Sequence, residues 1–188
     1  MVKAENTIRE RILDTAGRLF YERGYHAVGV DTIIAESGVA KMTLYRHFAS
    51  KDALITAYLE RVNTHLLAVL DAAAAREQEP HAQLRAICAR VMEIAASPQC
   101  LGCVFQMSAA EFPALDHPAH AVAIAHKQAL HNRLRDLALA AALPNPQQIA
   151  DQLLLLIDGA WIAARMFGPQ NPSRALLAAA DALLAAQR

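Results

Sequence analysis

The sequence is short of cysteine, of net charge, of β-branched residues and of uninterrupted apolar runs, and each shortage excludes something. Three cysteines in 188 residues are an odd number and too few for a disulfide scaffold; they suit a reducing compartment. Lysine and arginine total 18 against 18 aspartate and glutamate, which argues against a uniformly basic nucleic-acid coat but leaves room for a local patch. Valine, isoleucine and threonine together number 26, against 41 alanines and 24 leucines, a bias towards helix over strand. Residues 1–17 are charged and amphipathic with no apolar signal core, so export is not expected. The most apolar stretch, 149–167, is broken by Asp151, Asp158 and Arg165 at helical spacing. Charges at mid-depth are costly in lipid, so this reads as a helix buried in a soluble, cytoplasmic chain with no membrane partner.

What is present is enough to fold. Hydrophobic residues make up 55% and charged residues 19%, which excludes a disordered chain. No alternating strand pattern and no repeat appears, so the expected fold is all-α with about nine helices. Thr7 and Glu10 fit a capping box, followed by an apolar face of Ile8, Ile12, Ala16, Leu19 and Phe20 that ends near Gly24. Two short helices follow over 31–37 and 41–48. Ser50 should cap a longer one that turns Ala53/Leu54, Tyr58, Val62 and Leu66/Val69 inward. Further helices are expected over 81–96, 101–111, 118–142, 146–167 and 174–187. Asn145 and Gln148 around Pro146 suggest a capped start for the fourth of these, and Ser173 a cap for the last.

The informative stretch runs from Gly24 to Lys51. Two helices of about two turns, joined at Gly38-Val39, match a helix-turn-helix. Ile33 and Ile34 can pack the first, Leu44 and Phe48 the second, and Val39 the corner. That leaves Lys41, Met42, Thr43, Tyr45, Arg46 and His47 on the outer face. Two cations, a hydroxyl, a phenol and an imidazole suit phosphates and base edges. From Ser37 to Lys51 there are three cations and no acid. The plainer alternative is an ordinary helical hairpin with a solvated polar face, since fold alone does not fix function.

The run from Gly38 to Lys51, GVAKMTLYRHFASK, resembles the DNA-binding signature of TetR-family transcriptional regulators, as does its placement after one helix and before a longer one. The resemblance implies a DNA-binding domain over 1–52 and a helical effector-binding and dimerisation domain over 53–188. It implies that Lys41, Met42, Tyr45, Arg46 and His47 read bases and sugar-phosphate, and that Thr43 and Lys51 hold phosphates. The family often carries Thr or Ser where this chain has Gly29-Val30, so a hydroxyl cap is missing there and Asp31 or Thr32 should cap instead. It further implies a homodimer through the last two helices, double-stranded DNA with a palindromic operator, and a small-molecule effector whose binding releases the repressor. Leu176, Leu177, Ala180, Leu183 and Leu184 on the last helix, with Leu153, Leu156, Gly159/Ala160 and Ala163 on the one before, are the interface candidates; some must also serve the core.

Polar and bulky groups stranded on apolar helices are the effector-pocket candidates. Asp158, Trp161 and Arg165 fall on one stripe and offer an ion pair with a stacking surface, or else a structural salt bridge. Met92, Phe105, Met107 and Phe112, with Met166, are candidates for an apolar lining, or plain core. His126 and Glu111 are weaker candidates. Cys100 and Cys103 form a lone C-x-x-C; near a helix N-terminus it allows a thiol-switched repressor as an alternative, with inert buried thiols as the default. His117 and His120 are not at zinc-ribbon or finger spacing, so no metal and no cofactor is expected. No nucleophile, base and orienter assemble, which ranks an all-α enzyme low.

Overall fold

The structure, a computed structural model, describes residues 8–186. The capping box read at Thr7 and the last residue of the helix expected over 174–187 lie outside them. Every regular element among the described residues is helical: α1 (Ile8–Arg23), α2 (Val30–Ser37), α3 (Lys41–His47), α4 (Lys51–Ala74), α5 (Pro80–Ala95), α6 (Val104–Glu111), α7 (Pro118–Ala140), α8 (Pro146–Phe167) and α9 (Leu176–Ala185), with two 3-10 turns between α8 and α9. No helix among these residues is long and apolar enough to cross a membrane.

The helices gather into two compact units. The first holds the residues up to Val62 together with Val104–Ala123, and the second holds Asn63–Cys103 and the residues from Ile124 onward. This division by compactness is discontinuous along the chain and differs in kind from a functional division at residue 52.

In the first unit, α1 buries Ile12, Leu13, Ala16, Leu19 and Phe20 at helical spacing, while Ile8, expected on the same face, is exposed. Ile33, Leu44 and Phe48 of the two short segments are buried as expected, and Val39 fills the corner at 8% exposure. The α1–α4 approach is close: a Cβ on Gly17 would stand 2.6 Å from the Tyr58 ring. Ser50 caps α4, its Oγ accepting from the Ala53 amide at 3.0 Å. Ionic ties fasten α2 to α1, with Glu36 taking both Arg18 and Arg23.

In the second unit, α5 contributes Leu84, Ile87, Cys88 and Val91 to a core shared with Leu153, Ile157, Trp161 and Ala164 of α8 and Leu176, Ala180 and Leu184 of α9. Arg85 forks onto Asp181 at 2.8 and 3.2 Å, and Arg133 onto Asp71 at 2.6 and 2.8 Å. Exposed pairs of this kind fix register more than they add stability.

Four local expectations are corrected. The inward residues late in α4 are Leu67 and Leu70, not Leu66 and Val69, because the helix beyond Val62 belongs to the second unit and buries a different face in that unit's core. Helix α6 starts at Val104 rather than residue 101, after Gly102 in a left-handed conformation (φ 99°). Asn145 does not cap α8 with its side chain; it takes the left-handed conformation itself (φ 51°), which asparagine tolerates. Ser173 does not cap the last helix. Asn171 does the local work, its Oδ1 accepting from the Ser173 amide at 2.9 Å while its Nδ2 donates to Ala95 at 3.1 Å.

Candidate nucleic-acid interface

The outer face of α3 is set by which of its few residues are buried. Leu44 is fully buried and Phe48, just beyond the helix, is 4% exposed. These two anchors, four apart, force the intervening side chains outward. Lys41, Met42, Tyr45 and Arg46 are exposed and Thr43 and His47 half-buried. Met42, at 82% exposure, is an apolar side chain with nothing to cover it in the unit, as befits contact with a thymine methyl. Arg46 makes no hydrogen bond or ion pair among the described residues. Its guanidinium is therefore available without first breaking a contact, and it has the fork geometry that suits guanine edges or phosphate.

The two lysines are less free. Lys41 Nζ lies 3.5 Å from Asp31 Oδ1. Lys51 Nζ donates to the His26 carbonyl at 3.5 Å. Burial pushes the Lys51 ammonium down from its usual range, against the opposing pull of Asp52 and Glu111. Asp31 and Thr32 make no capping bond to α2, whose N-cap is Gly29 without a side-chain contact; this corrects the expected substitute cap. Asp31 instead sits in the first turn of α2, where its charge complements the helix dipole.

The effector-pocket candidates are divided between the two units. Phe105, Met107 and Phe112 fall in the first unit; Met92, His126, Asp158, Trp161 and Arg165 fall in the second. Phe112 packs against Tyr25 and His26 at ring separations of 5.8 and 4.8 Å and stacks on His117 at 4.3 Å. Phe105 is 1% exposed, and Met107 is half-buried. At Asp158 the structure shows the plainer alternative, a structural salt bridge. Asp158 is paired with Lys127 of α7, and Arg165 donates to the Leu101 carbonyl at 3.2 Å. Trp161 is core, Met92 half-buried, and Met166 exposed.

His126 is 1% exposed and its Nδ1 lies 2.8 Å from Asn63 Oδ1. Burial pushes its pKa down to about 3, helped by the charges of Lys127 and Arg133, so the ring is neutral and its Nδ1–H donates. Cys100 and Cys103 are buried, which removes the exposure a thiol switch requires. Burial likewise pushes the Cys88 thiol up to about 12. No group of three or more potential ligands able to hold a metal occurs among the described residues.

The family model for bacterial regulatory proteins of the tetR family matches residues 12–58. A TetR-family transcriptional regulator of Streptomyces coelicolor superposes with a TM-score of 0.91 at 35% identity, over 96% of this chain and 95% of that one. The chain belongs to the TetR family. A second TetR-type regulator, from Streptomyces avermitilis, gives a TM-score of 0.85 at 30% identity over 96% and 98% of the two chains. Among curated relatives, the HTH-type transcriptional activator FasR of Mycolicibacterium smegmatis is 47% identical over 53 residues, 28% of this chain. That match spans only 24% of the relative's length.

Two features of this TetR-family chain escaped sequence reading. One is an exposed apolar stripe on α8, comprising Leu155 (71% exposed), Gly159, Ile162 (47%) and Met166 (69%). Its 4-3-4 spacing was visible, but nothing local says which stripe of an apolar helix faces outward. The other is the role of Glu111, whose carboxylate accepts from the amides of Tyr25 and His26 at 3.0 and 2.7 Å. No sequence signal links residues 85 and 86 positions apart.

Proposed function

We propose that this TetR-family chain is a sequence-specific transcriptional repressor that leaves a palindromic operator when a small organic effector binds its larger part. Residues 1–52 are the DNA-binding domain and 53–188 the effector-binding and dimerisation domain. Lys41, Met42, Tyr45, Arg46 and His47 read bases and sugar-phosphate; Thr43 and Lys51 hold phosphates. The observation that carries this reading is the outward face of α3, where an unengaged arginine stands one turn from an exposed methionine while Leu44 and Phe48 hold the helix rigidly from behind.

The homodimer is proposed through α8 and α9. Leu155 of the exposed stripe also lines an apolar groove of about 260 Å³, together with Leu156, Leu176 and small residues such as Gly159, Ala163 and Ala179. Protruding apolar side chains beside an apolar groove are self-complementary, as a two-fold interface requires. A dimer would set two α3 helices about 34–36 Å apart, one turn of DNA, or a multiple of it.

Arg46→Ala tests the assignment. Duplexes are first selected from random DNA on the wild-type chain, and binding is then titrated against salt. The variant should bind at least tenfold more weakly to the selected duplex, with a shallower salt dependence. Equal affinity at low and high salt would overturn the assignment of the reading face.

A further inference from the structure

The α1–α2 connection is held by a side chain from far along the chain. After α1 ends at Arg23, the amides of Tyr25 and His26 have no helical acceptor, and both are taken by one carboxylate, Glu111 Oε1 at 3.0 Å and Oε2 at 2.7 Å. His26 returns the contact, its Nε2–H donating to the Glu111 carbonyl at 2.8 Å. That carbonyl belongs to the last residue of α6, one of the groups a helix end leaves without an internal partner. At the other end of α6, the Tyr25 hydroxyl donates to the buried Val104 carbonyl at 3.0 Å. Both ends of α6 are thus tied to two adjacent residues of the turn. Gly24 makes room for this: its φ is +92°, and a Cβ there would stand 2.9 Å from Glu111 Oε1.

We propose that Glu111 is a positioning residue for DNA recognition: by holding the Tyr25 and His26 amides it sets the α1–α2 turn, and through it the orientation of α2 and α3, in register with α6. This rests on the DNA-binding reading given above. The bonds to an ionised acceptor are of the stronger class. Two of them on successive amides define the direction of the chain as it leaves α1, which no single bond could do. Helix α2 follows within a few residues and α3 after one turn, so a rotation at Tyr25 is carried to Arg46. The sequence stretch around Glu111 thereby gains a role as a lever on the reading face, where it had been a candidate for lining a pocket. A shift of α6 along its axis pulls on both attachments at once.

The test uses the full chain carrying Glu111→Gln, which keeps the shape but presents an amide NH₂ to one of the two N–H groups. Hydrogen exchange should show the Tyr25 and His26 amides losing protection at least tenfold, with Ile12 and Leu19 unchanged. Affinity for the duplex selected on the wild type should fall about tenfold, while affinity for random-sequence duplex at low salt stays within twofold. A merely structural role would lower both affinities together with the melting temperature, or leave the ratio untouched, and either result overturns the proposal. Tyr25→Phe removes the second attachment without touching the carboxylate and should narrow the same ratio about threefold. It carries the test should Glu111→Gln fail to fold. If the wild type selects no duplex at all, the DNA-binding reading falls and this role falls with it. If it selects one and both variants read it equally well, only this proposal falls.

Discussion

Lys41, which opens α3, reaches across the helix-turn-helix to Asp31 in the first turn of α2, with Nζ 3.5 Å from Oδ1. The side chains are 64% and 88% exposed, so the pair is a weak one in water. It nonetheless places an acid beside a residue assigned to DNA. In the proposed complex Lys41 exchanges this carboxylate for DNA, and Asp31 is left facing a polyanion. Asp31→Asn should therefore raise affinity several-fold for selected and random duplex alike and steepen the plot of log affinity against log salt by up to about one ion. Filter binding or fluorescence anisotropy at three salt concentrations reads both. A change confined to one sequence would mean that Asp31 discriminates bases.

On α8, Leu155 is 71% exposed while Leu153, two residues before it, is fully buried. A polar substitution at the first should act on association and at the second on folding. Leu155→Asp should yield a monomer by sedimentation at micromolar concentration, with helical content and unfolding midpoint close to those of wild type measured as a monomer. Operator affinity should then collapse by more than a hundredfold, because each head alone must bind without its partner's effective concentration. A variant that stays dimeric would place the interface elsewhere.

How far the chain could be read in advance depended on whether the deciding contact was local. Helix α8 has the bounds that Pro146 and Gly168 announce, since a proline at the first position and a glycine beyond the last act within one turn. The face of α3 was equally legible, because Leu44 and Phe48 are four apart and leave only one way for the rest to point. The partners of the pocket candidates were not legible. Asp158 and Arg165 share a stripe, but partners on other segments, Lys127 and the Leu101 carbonyl, took them up separately. Asn145 and Ser173 are residues that cap helices elsewhere, yet here the backbone at Asn145 is left-handed, and Asn171 caps the 3-10 turn before α9, whose own start has no side-chain cap. Composition and periodicity constrain neighbours along the chain; contacts between distant segments need the fold.

His126 gives a pH dependence whose sign can be worked out. Its pKa falls from the ordinary 6.5 to about 3 in the folded chain, chiefly because the buried imidazolium would be poorly solvated. Between those two values the unfolded chain binds more protons than the folded one, so stability is fully present above about pH 6.5 and is lost as pH falls towards 3. The loss is about 1.4 kcal/mol per pH unit, or about 2 kcal/mol between pH 6.5 and 5. His126→Gln lacks this linkage. Urea unfolding should show wild type the more stable at pH 7 and the two converging at pH 5; parallel curves would mean that the ring is protonated or solvated in the folded state.

Gly102 is constrained from two directions at once. Its φ of +99° is a region that side chains with a Cβ rarely adopt, and a Cβ there would stand 2.9 Å from Arg165 Cβ and 3.3 Å from the Trp161 carbonyl oxygen. Gly102→Ala should therefore cost about 2–3 kcal/mol, combining backbone strain with a steric overlap. The obstruction is the Cβ of Arg165, not its guanidinium, so Arg165→Ala should give no relief. It removes only the bond to the Leu101 carbonyl, which is exposed and contributes about 1 kcal/mol. The double variant should accordingly be as unstable as the two losses added, measured by urea unfolding. Recovery of stability in the double variant would show instead that the longer part of the Arg165 side chain, whose Cδ is 3.6 Å from the same point, is what the alanine strikes.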